Sequence, residues 1–128
     1  MKIEHVAVWS ADIERLRRFY QRYFSAQAGA KYGNKVSGFE SYFLTLAGGP
    51  RLELMQRPDV RSGSETQEEQ LGYAHLAISV GSEEAVDELT RRLEDDGHRR
   101  LSGPRRTGDG YYESVILDPD GNRIEITV

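Results

Sequence analysis

The 128-residue chain has no cysteine. That removes disulfide cross-links, thiolate metal ligands and a cysteine nucleophile together, and it suits a reducing cytoplasm. It also lacks any apolar run of membrane-spanning length, and its N-terminus enters an apolar strand with no signal-type hydrophobic region. Basic residues are in deficit: 17 Lys and Arg stand against 21 Asp and Glu, a formal charge of −4. A net-acidic chain with no basic stripe attracts neither nucleic acid nor an anionic membrane surface. No phosphate-cradling glycine motif is present, since Gly108-Asp109-Gly110 is too short a signal. The expectation is a cytoplasmic, single-domain protein with a small-molecule partner.

What the chain does have is a repetition. Ile3-Glu4-His5-Val6-Ala7-Val8, followed by Arg51-Leu52-Glu53-Leu54, is matched by Tyr73-Ala74-His75-Leu76-Ala77-Ile78, followed by Arg123-Ile124-Glu125-Ile126. The histidines lie 70 residues apart and the glutamates 72. Around these copies the periodicity predicts two equivalent modules. In the first, a strand over residues 2–9 leads to a helix capped by Asp12, running to about Ala26 with Gly29 as its terminator. Its apolar residues Ile13, Leu16, Tyr20, Tyr23 and Phe24 recur at helical spacing. Strands over 39–46 and 51–55 flank Gly48-Gly49, with an edge strand near 31–36.

The second module repeats the order. A strand over 73–80 precedes a helix capped by Ser82, carrying Val86, Leu89 and Leu93 inward and ending at Gly97. Strands over 111–117 and 123–127 then flank Asp118-Pro119-Asp120-Gly121-Asn122, a turn sequence. The fold class is therefore α+β: modules over residues 1–57 and 73–128, a polar linker over 58–72, and a cupped mixed sheet with its helices outside. Alternation puts His5, Ala7 and Trp9 with Arg51, Glu53 and Met55 on the face turned away from the helix. In the second module His75, Ala77 and Ser79 share that face with Arg123, Glu125 and Thr127.

A single strand histidine is more often a hydrogen-bonded ring than a ligand, and a single glutamate more often pairs with a cross-strand arginine. Four such residues at duplicated positions on one face are different. Two carboxylates and two imidazoles converging with no cation among them would be costly, so His5, Glu53, His75 and Glu125 form a candidate set for one divalent metal ion. Zn²⁺, Ni²⁺, Co²⁺, Mn²⁺ and Fe²⁺ all accept these donors. His98 follows Gly97 and belongs with the terminal carbonyls of its helix. Arg15, Arg17, Arg18 and Arg22 read as a solvated helix face. Residues 103–112, with Arg105, Arg106 and Tyr111-Tyr112, read as a solvated loop, or alternatively as a lip that recruits an anionic substrate.

The chain resembles the vicinal oxygen chelate superfamily of glyoxalases, bleomycin-resistance proteins and dioxygenases over essentially its whole length. The marks are the Ile3-to-Val8 opening, Arg18-Phe19-Tyr20, Gly72-Tyr73-Ala74-His75-Leu76-Ala77, and Asp118-Pro119-Asp120-Gly121-Asn122-Arg123-Ile124-Glu125. The resemblance implies paired βαβββ modules and, from the ligand order His, Glu, His, Glu, a centre like that of bacterial glyoxalase I (lactoylglutathione lyase). It implies that His5, Glu53, His75 and Glu125 are the metal ligands. It further implies a homodimer whose sites each take His5 and Glu53 from one chain and His75 and Glu125 from the other.

The implied chemistry is a lyase or isomerase reaction through an enediolate, on a substrate that chelates the metal through adjacent oxygens. Glu125 would be the base and Glu53 the other candidate proton carrier. The alternatives are a dioxygenase or thiol transferase, which usually employ two His and one Glu, or a non-catalytic binding protein of the resistance type. In glyoxalase I proper, an arginine four residues after the first ligand and an asparagine four after the first Glu help hold glutathione. Here those places are Trp9 and Arg57, and an indole cannot pair with a carboxylate as a guanidinium does. Trp9, Arg57, Arg105 and Tyr111 are thus the candidate substrate-pocket residues, with Trp9 either stacking on an apolar substrate or packing at the rim.

Overall fold

The computed structural model describes residues 1–61 and 71–128. They divide into two compact units, Met1–Glu65 and Thr66–Val128, so the division falls inside the expected linker, of which residues 62–70 lie outside the described part. Both units are α+β, each with a mixed sheet and one helix on a single sheet face.

The first unit runs β1 (His5–Trp9), α1 (Ile13–Phe24), β2 (Gln27–Ala28), β3 (Tyr32–Asn34), β4 (Phe39–Thr45) and β5 (Arg51–Gln56). Its sheet has the order β1-β5-β4-β2, with β3 also paired to β4. β1 and β5 are parallel and the remaining pairs antiparallel. The second unit runs β6 (Leu76–Ser79), α2 (Glu83–Asp95), β7 (Arg100–Arg106), β8 (Tyr112–Leu117) and β9 (Arg123–Thr127). Its order is β6-β9-β8-β7, again with one parallel pair, β6 with β9.

The helices form where capping and periodicity place them. The Asp12 carboxylate accepts from the Arg15 backbone N–H at 2.9 Å, and Ser82 Oγ accepts from the Ala85 N–H at 3.1 Å. These side chains satisfy donors that a helix start leaves orphaned. Ile13, Leu16, Phe19, Tyr20 and Tyr23 bury one stripe of α1 against the Leu44, Leu52 and Leu54 side of its sheet. Val86, Thr90 and Leu93 do the same for α2 against Ile116, Ile124 and Ile126. Thr90 Oγ1 and Ser114 Oγ, both buried, satisfy each other at 2.6 Å. Each sheet therefore has an apolar face under its helix and an opposite face on which the polar residues of alternating positions collect.

Several expected boundaries move. α1 ends at Phe24, and Ser25, not Gly29, terminates it by taking a left-handed conformation at φ 53°. The Ala26 N–H then reaches back to the Tyr20 carbonyl at 3.2 Å, the reverse bond that closes a helix C-terminus. Gly29 instead donates to the Phe43 carbonyl at 2.9 Å, extending the short β2 edge that no periodicity in the sequence signalled. The ladder of β6 begins at Leu76, opposite Ile124, so His75 sits one residue before the strand rather than inside it. The largest correction concerns residues 103–112: Gly103, Pro104, Arg105 and Arg106 are strand, paired with β8, and only residues 107–111 form the loop. A proline and a glycine disguised that strand. They fall where the β7–β8 register is irregular, a position that tolerates both.

Gly103 is there for a steric reason. It sits at φ +71°, and an added Cβ would lie 2.3 Å from the Glu113 carbonyl oxygen and 2.8 Å from Ser114 Cα. Since both obstacles are backbone, Gly103→Ala should destabilise the protein by about 3 kcal/mol. Urea denaturation measures this, and a loss under about 1 kcal/mol would contradict the close approach of β7 to β8.

The 118–122 turn behaves as its sequence suggests. The buried Asp118 carboxylate accepts from the backbone N–H of Asp120, the backbone N–H of Asn122 and Asn122 Nδ2, each at 2.9 Å. Burial pushes the Asp118 carboxyl up, while these donors pull it down. The turn fixes the register of β8 against β9, including Val115 opposite Glu125.

Candidate functional site

The two units build the same motif with their own strands. In the first, parallel pairing sets Ala7 opposite Glu53, which leaves His5 one side-chain step along the same face from Glu53. His5 Nε2 lies 3.7 Å from Glu53 Oε2. In the second, Ala77 stands opposite Glu125, and His75 Nε2 lies 3.3 Å from Glu125 Oε2. The duplication read in the sequence is therefore a duplication of register. Both glutamates are largely shielded, with side chains 14% and 16% exposed, while the histidines remain 39% and 41% exposed.

These pairs fit half of a metal site each. Two donors about 2.1 Å from one ion lie about 3.0–3.4 Å apart at octahedral to tetrahedral angles. The observed 3.7 Å and 3.3 Å are within a small side-chain adjustment of that. Each pair offers an imidazole nitrogen and a carboxylate oxygen, donors suited to the divalent ions from Mn²⁺ to Zn²⁺. Among the described residues no cluster of three or more His, Cys, Asp or Glu is placed to hold a metal ion.

The first pair has supporting residues that sequence reasoning missed. His5 Nδ1 is hydrogen-bonded to the Glu4 carboxylate, which also takes Arg51 Nη2. A carboxylate only accepts, so Nδ1 donates to Glu4, and Nε2 is the ring nitrogen turned toward Glu53. These hydrogen bonds, His5 first and Arg51 second, hold the Glu4 carboxyl below its usual range. Phe43 meets the His5 ring edge-on with centroids 5.4 Å apart, and the Arg51 guanidinium lies 4.1 Å from the centroid of Phe43. The second pair is built differently. Ala74 stands where the first copy has Glu4, and the neighbour of Glu125 is Glu113, on β8. Burial, followed by the Glu125 carboxylate, pushes the Glu113 carboxyl up, and Arg105, 3.8 Å away, opposes this. The strand register that brings Phe43 and Glu113 to these places carries no local sequence signal.

Of the four candidate pocket residues, two lie in each unit. Trp9 and Arg57 are together in the first unit, the guanidinium 5.4 Å from the indole centroid. Arg105 is in the second unit beside Glu113. Tyr111 is in the 107–111 loop, where its backbone N–H donates to Thr107 Oγ1 at 3.0 Å and its side chain is exposed. Arg106, in the same expected lip, is engaged by Glu83 and by the Gly110 carbonyl. Arg17, expected on a solvated face, instead hydrogen-bonds Glu14 and Gln21 and packs on Tyr42.

With its mixed sheets and repeated His/Glu register, the chain belongs to the Glyoxalase/Bleomycin resistance protein/Dioxygenase superfamily, whose sequence profile matches residues 2–126. It is 27% identical over 133 residues to the uncharacterized protein YqjT of Bacillus subtilis (strain 168), covering 97% of this chain and 96% of YqjT. Among solved structures it resembles the trypanothione-dependent glyoxalase I of Leishmania major, with a TM-score of 0.78 and 22% identity, over 99% of this chain and 86% of that one. It also resembles FosX, the genomically encoded fosfomycin resistance protein of Listeria monocytogenes, in its complex with Mn(II) and sulfate. There the TM-score is 0.72 at 22% identity, over 98% of this chain and 90% of FosX. At these identities the likeness establishes the fold. No described helix is long and apolar enough to cross a membrane.

Proposed function

We propose that the protein is a metal-dependent lyase or isomerase of glyoxalase I type, acting on a small substrate that chelates through adjacent oxygens. In this reading His5, Glu53, His75 and Glu125 are the ligands, and each site of a homodimer takes the first pair from one chain and the second from the other. The observation that carries it is the shared register: each unit independently sets a histidine Nε2 against a glutamate Oε2 on its helix-free face. Two such pairs, each an imidazole and a shielded carboxylate, together make up the four donors that one divalent ion would take. The FosX relative, solved with Mn(II), supports a divalent ion on this scaffold.

A divalent ion held there would supply Lewis acidity toward neighbouring carbonyl oxygens, acidifying the adjacent C–H. Glu125 is the proposed base, its carboxylate shielded on the helix-free face beside His75. Glu53, similarly shielded, is the other proton carrier. Glu4 orients His5 and leaves its Nε2 free to ligate. Glutathione as the thiol is not favoured, because Trp9 stands where a carboxylate-binding arginine would be needed.

Elemental analysis of protein purified without added metal tests the reading, followed by assays with hemithioacetals of several thiols across Mn²⁺, Fe²⁺, Co²⁺, Ni²⁺ and Zn²⁺. The expected result is about one divalent ion per chain and turnover with at least one pair of metal and thiol. Protein that neither retains nor takes up any of these ions would overturn the metal centre. Bound metal with every hemithioacetal inert would overturn the glyoxalase chemistry.

A further inference from the structure

The helix-free face of the first sheet carries a second cluster at the end opposite His5. Alternation along β1 puts Trp9 on the face of His5, and the registers of β3, β4 and β5 bring Tyr32, Phe39 and Met55 to the same side. The Trp9 and Phe39 rings meet edge to face with centroids 6.2 Å apart, and Phe39 and Tyr32 follow at 6.1 Å. The Arg57 guanidinium lies over the indole. Asp59 accepts from Arg57 Nε, so that bond uses one guanidinium nitrogen and leaves the donors of the terminal pair for a further acceptor.

This cluster contributes little to the core, which lies on the other face under α1. Trp9 remains 41% exposed and Tyr32 56%, although both are large aromatic groups. Three linked rings, two of them substantially exposed, with a guanidinium over the indole present what an aromatic anion needs: a π surface to stack on and a donor pair for a carboxylate.

We propose that Trp9, Phe39, Tyr32 and Arg57 form a recognition subsite for a planar aryl carboxylate, the tail of the substrate whose oxygens chelate near His5 and Glu53. As the tail pocket of that substrate, the subsite rests on the proposed metal centre. Trp9 lies four residue steps along β1 from His5, about 13 Å along the sheet. The substrate class is therefore an elongated one, with chelating oxygens at one end and an aromatic acid at the other.

Trp9 is the sole tryptophan, so its single indole N–H resonance reports on the subsite alone. The probe is 2-naphthoate, titrated into metal-free full-length protein, with cyclohexanecarboxylate as an anion lacking a π face. We expect saturable movement of the Trp9 signal by 2-naphthoate, and binding about tenfold weaker for cyclohexanecarboxylate, for Phe39→Leu and for Arg57→Gln. Glu53→Gln should bind 2-naphthoate as the parent does, which separates this subsite from the metal centre. The aryl-carboxylate site is overturned by a Trp9 signal that does not move. It is equally overturned if the two carboxylates, or the parent and Arg57→Gln, bind alike. Naphthoate binding in a protein that takes up no metal would uphold the aryl site and refute its role as the tail pocket of a chelated substrate.

Discussion

Mixing His5→Ala chains with His75→Ala chains should restore metal binding and activity that neither variant has alone. If each site joins the first pair of one chain to the second pair of its partner, a His5→Ala homodimer has a damaged ligand set at both sites. So does a His75→Ala homodimer. In a mixed dimer the two defects fall in the same site, and the other site receives Glu53 with His5 from one chain and Glu125 with His75 from the other. Random reassortment of equal amounts makes half the dimers mixed, so about a quarter of all sites are restored. Tight-metal stoichiometry after unfolding and refolding the mixture measures this, with each variant refolded separately as control. A mixture no better than its components would show that the ligands are not shared between subunits.

Glu125→Gln should lower kcat by about 10²–10⁴-fold. Glutamine keeps the shape and one oxygen donor but cannot accept a proton from carbon, so the chemical step should suffer more than the fold. Glu125 sits on β9 between the buried Ile124 and Ile126, and an isosteric change leaves that packing alone. Metal content, measured in parallel, separates lost base from lost ligand. If Glu125→Gln retains both its metal and the parent's kcat while Glu53→Gln loses activity, the base is Glu53.

These tests have sharp targets because the ligand candidates were legible in the chain itself. Strand alternation is a local property: two residues on either side of Glu53 or Glu125 suffice to tell which face the carboxylate takes, and the burial of Leu52, Leu54, Ile124 and Ile126 agrees. Helix starts are equally local, since Asp12 and Ser82 act on donors three residues away. The errors are of another kind. Ser25 ends α1 in a left-handed conformation that its side chain does not advertise. The Gly103-Pro104 pair, which reads as a loop, is accommodated in β7 because its partner strand tolerates an irregular register there. His75 falls just outside β6, whose ladder begins at Leu76 opposite Ile124, although β9 itself runs on to Arg123 through its pairing with β8.

By itself the sequence determined that the protein is two copies of one α+β module, and which four side chains share the helix-free faces. Period and repetition are written along the chain. Only the tertiary structure decided what surrounds those side chains: Glu4 and Phe43 around His5, Glu113 against Glu125, and the Phe39 and Tyr32 rings beside Trp9. Such neighbours come from strands dozens of residues apart, and their meeting depends on sheet order and register, which are set by burial of a whole face rather than by any local run of residues.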